Sequence, residues 1–276
     1  MRLLVLLCAF LSHSLCLGYS LSEHKMITAH AITQWNICFE NSISYEIESE
    51  IQSANSWEDL NLIRKWTKYS HFYHPYKKLN DLTRYDSSMR VIELEYEILS
   101  LDLKDFYFSL KPYQALGHAI HHLQDVTVPA HVVPVMHALK DGFEEMRLTQ
   151  DDLPKFRFDQ KYCGQLKQKK TNSLFDILFE SAEITLLSLE TPLEIYIDGE
   201  KRILNYKAFW QPSEKEEFGS YGVLGNHFGE SEFEQGGVAY QVSLDQMKVF
   251  KRKAVERAII DTMMTLKWVW SLSVKY

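Results

Sequence analysis

Residues 117–131 of the chain read GHAIHHLQDVTVPAH. His121 and Asp125 are four positions apart in this stretch, so on a helix they share one face and can bind the same ion. Pro129 ends such a helix, and His131 follows six residues after Asp125, where a turn can direct it back into the same cleft. The stretch therefore predicts a helix, a turn and a set of metal-binding side chains.

The rest of the chain shows mainly the apolar spacing of amphipathic helices. Helices are predicted at 22–39, from Ser56 toward Trp66, and at 89–101, 113–123, 172–187 and 245–269. Between the last two, residues 193–204 alternate around Asp198 and Gly199, which predicts a β-hairpin, whereas the Gly- and Ser-rich residues 211–237 are interpreted as an irregular loop region. We therefore expect an all-α fold, a single helical domain over residues 19–276 with a small β-hairpin insertion.

The first eighteen residues have the pattern of a secretory signal peptide. Arg2 gives a basic start, residues 3–11 are a short apolar run, and Cys16 and Gly18 place small residues at the −3 and −1 positions of a cleavage site. The run is too short to span a membrane, which takes about 20 residues. We expect cleavage after Gly18 and a secreted protein, extracellular or periplasmic, without a transmembrane segment.

Composition limits the classes of function. The chain carries 30 Lys and Arg against 37 Asp and Glu, a formal net charge of −7, which disfavours a protein that holds nucleic acid by charge alone. After signal cleavage only Cys38 and Cys163 remain; in an oxidising compartment they can pair or stay unpaired, and neither is expected to bind zinc. Ten of the eleven histidines lie within residues 13–137. Imidazole with carboxylate is the ligand set of hydrolytic zinc, so metal chemistry is favoured.

The stretch that begins at His121 resembles a motif of the zinc-dependent phospholipase C family of secreted bacterial enzymes. That family shares an all-helical fold and a trinuclear zinc site with single-strand-specific nucleases. Its motif is His-x3-Asp, then a His six residues later with a Pro two residues before it, and His121, Asp125, Pro129 and His131 match it. SHFYHP at 70–75 resembles the family's Ser-His-Phe-Tyr/Trp-Asp-Pro stretch, whose zinc-binding His corresponds to His71.

Two further matches lie closer to the N-terminus. Asp59 precedes His71 by twelve residues, in the interval where the family has a zinc-bound or general-base Asp. The family's mature chain begins with a residue whose free α-amine and carbonyl bind zinc together with a following His. Tyr19 and His24 match this pair, with Tyr in place of the usual Trp, and signal cleavage would create the α-amine. The resemblance covers residues 19–145. Beyond them no motif matches, and only the overall architecture is expected to be similar.

The family's last pair of ligands leaves two alternatives in this chain. The family spacing is His-x3-Glu/Asp, which His137 and Asp141 match, although they follow His131 at a shorter distance than is usual. Asp141 with Glu144 is the alternative, because the family's ligand Glu often follows Phe, as it does here. Four other histidines are given less direct roles. His118 and His122 are interpreted as packing or ligand-supporting residues, His30 as a packing residue and His227 as an exposed loop residue.

The resemblance implies three zinc ions. The first would take Asp59, His71, His121 and Asp125. The second would take the backbone of Tyr19, His24 and a bridging Asp125, and the third would take His131, His137 and Asp141. Asp59 would be the catalytic residue that orients or deprotonates the attacking water.

The implied activity is phosphodiester hydrolysis by zinc. A phospholipase C would cleave phospholipid, at a membrane or micelle surface, to diacylglycerol and a phosphorylated head group. The alternative is a single-strand-specific zinc nuclease or 3′-nucleotidase, but a nuclease must attract a polyanion, so the negative charge favours lipid and no stable nucleic-acid partner is expected. A third hypothesis is a binding module that uses zinc for stability alone; structural zinc sites are usually closed and Cys-rich, unlike this one. The sequence does not indicate an oligomeric state.

Overall fold

The computed structural model describes residues 19–40, 42–60, 71–77, 86–102, 105, 109–135, 141–148, 156–214 and 218–273. The helices are α1 (Leu21–Phe39), α2 (Tyr45–Leu60), α3 (Ser87–Leu99), α4 (Lys111–Asp125), α5 (Pro129–Val132), α6 (Gly142–Glu145), α7 (Gln160–Gln168), α8 (Leu174–Ser188) and α9 (Leu244–Ser273). The strands are β1 (Pro192–Ile197), β2 (Glu200–Asn205), β3 (Trp210–Gln211), β4 (Ser220–Tyr221), β5 (Glu232–Gln235) and β6 (Val238–Val242). The predicted signal peptide lies outside the described residues.

The fold is mixed, so the prediction of an all-α fold was wrong. β1 and β2 form the predicted hairpin, and Asp198 and Gly199 at its turn have φ of 48° and 82°, as a two-residue hairpin turn of this kind requires. β6 also pairs with β1, and β5 pairs with β6, which gives an antiparallel sheet of order β2-β1-β6-β5. A second, two-stranded sheet joins β3 and β4.

The missed strands lie largely within the residues interpreted as irregular. Gly236 and Gly237, with φ of 62° and 79°, form a second two-residue turn between β5 and β6. The outer faces of these two strands are polar, and their hairpin joins the sheet because β6 pairs with β1, which is distant in sequence. The Gly- and Glu-rich composition therefore did not predict these strands, because they are stabilised by pairing with other parts of the chain.

The motif helix α4 lies at the centre of the helical layer, in contact with α2, α3, α8 and α9. Its last two turns, from Ala119 to Asp125, are buried on every side. Gly117 allows α2 to approach closely, because a Cβ at this position would lie 2.4 Å from the carbonyl oxygen of Ile51. This contact brings the C-terminal end of α2, which carries Asp59, toward the polar end of α4.

Cys38 and Cys163 form a disulfide bond, which resolves the two alternatives that the sequence left open. The bond joins the end of α1 to α7, across 125 positions of the chain. Among the described helices, none is long and apolar enough to cross a membrane.

Candidate metal centre

Five separate parts of the chain supply the buried histidines and aspartates of the candidate site, namely α1, α2, the segment 71–77, α4 and α5. His24 lies in the first turns of α1, Asp59 at the end of α2, and His71 in the segment 71–77. His121 and Asp125 lie on one face of α4, as their spacing predicts. The members, all at most 5% exposed, are His24, Asp59, His71, His121, Asp125 and His131.

The carboxylate of Asp125 is the centre of the cluster. Its Oδ2 lies 3.3 Å from Nε2 of His121 and contacts Nδ1 of His71. Its Oδ1 lies 3.3 Å from Nε2 of His24. Nδ1 of His131 is 3.9 Å from Oδ2. One carboxylate thus faces imidazoles from four segments of the chain.

Asp59 approaches two of the same imidazoles, those of His121 and His24. Its Oδ1 is 3.8 Å from Nε2 of His121, and its Oδ2 is 3.9 Å from Nε2 of His24. Nε2 of His121 also lies 3.0 Å from Nδ1 of His71. The residues predicted to bind the first zinc therefore lie in one buried volume, together with His24, which is predicted to bind the second zinc.

Hydrogen bonds fix the orientation of His24. Its Nδ1 donates to Oε1 of Gln124 over 2.6 Å. The amide of Gln124 is itself oriented, because its Nε2 donates to Thr28 (3.0 Å) and Thr262 (3.1 Å). With Nδ1 protonated, Nε2 of a neutral His24 presents a lone pair to Oδ1 of Asp125, and neither atom forms a hydrogen bond within the described residues. Two facing acceptors require a proton or a metal ion between them.

His131 repeats this arrangement. Its Nδ1 donates to the carbonyl oxygen of His71 over 2.6 Å, while the backbone N–H of Tyr73 donates to the carbonyl oxygen of His131 over 3.0 Å. The other nitrogen, Nε2, faces Oε1 of Glu144 at 3.1 Å. The motif turn and the 71–77 segment therefore hold each other in place, and His131 faces a second carboxylate.

The residues predicted to bind the third zinc differ in their surroundings. His137 lies outside the described residues. Asp141 is fully buried, and its carboxylate accepts hydrogen bonds from Nε1 of Trp210 (3.0 Å), the hydroxyl of Tyr221 (3.0 Å) and the N–H of Phe143 (2.9 Å). Asp141 therefore caps α6 and ties it to β3 and β4. Glu144, the alternative from the sequence, is the carboxylate in contact with His131.

Tyr19 is fully buried beside the cluster. Its hydroxyl shares a 2.8 Å hydrogen bond with Oγ1 of Thr127, and its ring meets the His24 ring edge-on at 5.6 Å. The next turn is fixed by a capping box between Ser20 and Glu23. Glu23 also forms a buried ion pair with Lys251 (2.9 Å), so the start of α1 is attached to α9.

The charges of the cluster set the protonation of its members. Burial lowers the pKa of His121, but Asp125 and Asp59 outweigh it and raise the pKa to about 9. Burial raises the pKa of Asp125, but His121, His71 and His131 outweigh it and hold the pKa well below its ordinary value. The ion-free site therefore holds a proton on His121 that a bound metal must displace.

The structure brings these donors close enough to hold a metal ion. Within the described part of the chain, three groups have ligand atoms within 4.8 Å of one another, namely His24, His121 and Asp125; Asp59, His71 and His121; and His71, His122 and Asp125. Buried imidazole and carboxylate donors without thiolates suit zinc and related divalent ions. The donor set therefore fits a metal centre, as its sequence predicts.

Some residues near the site acquire roles that spacing alone did not indicate. Gln124 orients His24, and Glu58 pairs with Nδ1 of His118 at 2.9 Å on the outer side of α4. His122 belongs to one of the donor groups, although it was interpreted as packing or ligand-supporting. His30 binds the carbonyl oxygen of Phe156 and His227 stacks on Phe233, both away from the cluster. The sequence signal for the role of Gln124 was its position next to Asp125.

No family model, no curated protein and no solved structure matches this chain.

Proposed function

We propose that the protein is a zinc-dependent phosphodiesterase, a phospholipase C that cleaves phospholipid to diacylglycerol and a phosphorylated head group. The observation that carries the proposal is the paired orientation of His24 and His131. Each ring is fixed through Nδ1 and turns Nε2 toward a buried carboxylate, of Asp125 and of Glu144 respectively. Such fixed rings are typical of metal ligands whose other nitrogen is hydrogen-bonded.

Three zinc ions are part of the proposal. Asp59, His71, His121 and Asp125 would hold the first, and the Tyr19 backbone, His24 and Asp125 the second. His131 would hold the third with His137 and Asp141, or with Glu144 in place of one of them. Bound zinc would lower the pKa of a coordinated water to about 7 and polarise phosphoryl oxygens.

The chain's own residues would supply orientation and proton transfer. Asp59 reaches the cluster from α2, where it lies near His24 and His121, and it is the residue proposed to orient the attacking water and accept its proton. Asp125 would bind metal as a carboxylate, which fits its lowered pKa. Gln124 would hold His24 in the tautomer whose Nε2 faces the site.

The proposed substrate is a phospholipid at a membrane or micelle surface, met outside the cell after signal cleavage. The disulfide between Cys38 and Cys163 supports secretion, because such bonds persist in oxidising compartments. The negative net charge supports a lipid over a polyanionic nucleic acid. A single-strand-specific nuclease remains the alternative, since the same donors can serve either ester.

The test is parallel turnover of phosphatidylcholine in mixed micelles and of single-stranded DNA, with zinc-loaded protein that begins at Tyr19. We expect release of phosphocholine, and its loss in Asp125→Asn, which keeps the shape of the side chain and removes its charge. His30→Gln, on α1 but away from the cluster, is the control and should retain turnover. Turnover of DNA alone would favour the nuclease, and bound zinc without turnover of either substrate would favour the binding module.

A further inference from the structure

His122 is a fully buried histidine that has no hydrogen-bonding partner among the residues that the structure describes. It lies on α4 between His121 and Asp125, and it has no exposed surface. Neither Nδ1 nor Nε2 forms a hydrogen bond with another described residue. More than nine in ten buried polar groups in proteins have such a partner, so an imidazole with both nitrogens orphaned requires an explanation.

Both ring nitrogens of His122 are available to a ligand. An imidazole binds a metal ion through the lone pair of one ring nitrogen. Neither nitrogen of His122 is engaged by a hydrogen bond among the described residues, so either one can supply that lone pair.

The position of His122 brings this lone pair to the cluster. Consecutive residues of a helix point about 100° apart. The rings of His121 and His122 nevertheless lie close together and nearly perpendicular, with 5.5 Å between their centroids. The His71 ring lies beside both of them, at 4.8 Å from His121 and 5.4 Å from His122. Asp125 follows His122 by three residues, which keeps them on one side of the helix. Ligand atoms of His71, His122 and Asp125 lie within 4.8 Å of one another.

We propose that His122 is itself a metal ligand, binding a divalent transition-metal ion together with His71 and Asp125. This role goes beyond the ligands transferred from the resembling motif, in which the position after the first His has no assigned function. A supporting role is less consistent with the contacts, because a supporting imidazole donates a hydrogen bond to a ligand. His122 donates none within the described residues. The proposal rests on the metal centre of the proposed function, and not on its substrate.

Nuclear magnetic resonance of the wild-type protein tests the bond directly. The protein is labelled with nitrogen-15 at histidine and loaded with cadmium-113, a spin-active substitute for zinc. We expect a one-bond coupling between cadmium and a ring nitrogen of His122, assigned from its absence in His122→Phe. Absence of this coupling in folded, cadmium-loaded protein, with couplings at His121 present, would overturn the proposal.

Zinc affinity in two matched variants gives a second measurement. His122→Phe should weaken the binding of one zinc ion by about tenfold or more and alter the visible spectrum of the cobalt-substituted protein. His118→Phe, one turn earlier on α4 and paired with Glu58, should change neither. Equal affinities and spectra in the two variants would overturn the proposal.

Failure of this proposal and failure of the proposed function give different results. A cadmium–His122 coupling in protein that hydrolyses neither substrate supports the ligand and contradicts the phospholipase. Turnover of phospholipid by protein without that coupling supports the phospholipase and contradicts the ligand.

Discussion

Nε2 of His24 lies 3.3 Å from Oδ1 of Asp125, although one residue belongs to the start of α1 and the other to the end of α4. Gln124, the neighbour of Asp125, holds the opposite nitrogen of the same ring. Two consecutive residues of α4 therefore act on one imidazole, since one supplies the facing charge and the other fixes the tautomer. Both residues lie in the part of α4 that is buried on every side.

Replacing a central ligand should remove the metal, whereas replacing the neighbouring outer histidine should not. His121→Ala removes the ring that contacts both Asp59 and Asp125. We expect zinc affinity to fall by more than about 100-fold, which exceeds the loss expected for a residue that only hydrogen-bonds a metal ligand. His118→Ala loses a contact with Glu58 and should retain zinc and most of the activity. Metal analysis and phosphodiesterase assays check both. Equal losses at the two positions would show that α4 presents a different face to the metal.

The stability of the ion-free protein should depend on pH in a direction set by His121. Its pKa is raised to about 9 by the facing carboxylates, above an unfolded value near 6.5, so it stabilises the fold fully below about pH 6.5. That contribution, about 3 kcal/mol for a shift of this size, is lost as pH rises through 9. Zinc binds better as ligands lose protons, so the stabilisation by zinc should grow over the same interval.

Urea unfolding at several pH values, with a chelator and with zinc, measures this dependence. The His121→Gln protein is the control, because it lacks the titrating ring and should lose the alkaline decline without zinc. A chelated wild-type protein whose stability is constant between pH 6.5 and 9 would contradict the assigned direction.

Lys251 should stabilise the fold through its ion pair with Glu23. The ammonium is fully buried, 2.9 Å from Glu23, and donates to the carbonyl oxygen of Phe143 over 2.8 Å. Lys251→Met leaves Glu23 as a buried charge without this partner and should cost about 3–5 kcal/mol of unfolding free energy. Glu23→Gln in addition should restore much of that loss, because the charge is then absent. Denaturant unfolding measures the stability of the single and the double variant. Equal stabilities of these two proteins would contradict the role of the ion pair.

Gly117 should be required for the close contact of α2 and α4. Gly117→Ala places a methyl group 2.4 Å from the carbonyl oxygen of Ile51, and the strain should cost about 1–3 kcal/mol. Gly164→Ala is the matched control, because it lies on α7 with no atom within 4 Å of the added carbon. It should stabilise the protein by up to about 1 kcal/mol through helix propensity. In thermal unfolding, we expect a lower melting temperature for Gly117→Ala and an equal or higher one for Gly164→Ala. A stabilised Gly117→Ala protein would refute the requirement for glycine at this contact.

Local sequence patterns predicted the parts of the fold that depend on local structure. The spacing of His121 and Asp125 placed both on one helix face, and Asp198-Gly199 predicted the first hairpin because such a turn needs φ > 0. The second hairpin was missed although Gly236 and Gly237 carry the same signal. Its strands are short, their outer faces are polar, and the hairpin joins the sheet only where β6 pairs with β1.

The supporting residues of the site could not be predicted in the same way. Gln124 gains its role from Asn55, Thr28 and Thr262, which belong to three other helical segments, and no spacing along α4 reveals them. Glu144 meets His131 because the motif turn and α6 are brought together by tertiary packing. Donor types are visible in sequence, whereas hydrogen-bond partners depend on the fold.

The last prediction concerns the chain start at Tyr19. If its free α-amine and carbonyl bind zinc, position in the chain should matter more than the phenol, whose hydroxyl contacts Thr127 and not the cluster. Tyr19→Phe should therefore retain zinc content and most activity, at a stability cost of about 1–3 kcal/mol for the lost hydrogen bond.

A Gly-Ser extension before Tyr19 should instead convert the amine into an amide, which is a poor ligand, and lower the occupancy of one zinc. His24→Ala should resemble the extended protein, because both remove ligands from the same ion while Asp125 remains. Zinc content and activity are compared for the authentic start at Tyr19, the extended form and the two variants. Full zinc content and full activity in the extended protein would refute the N-terminal ligand, since His24 and Asp125 would then suffice for that ion.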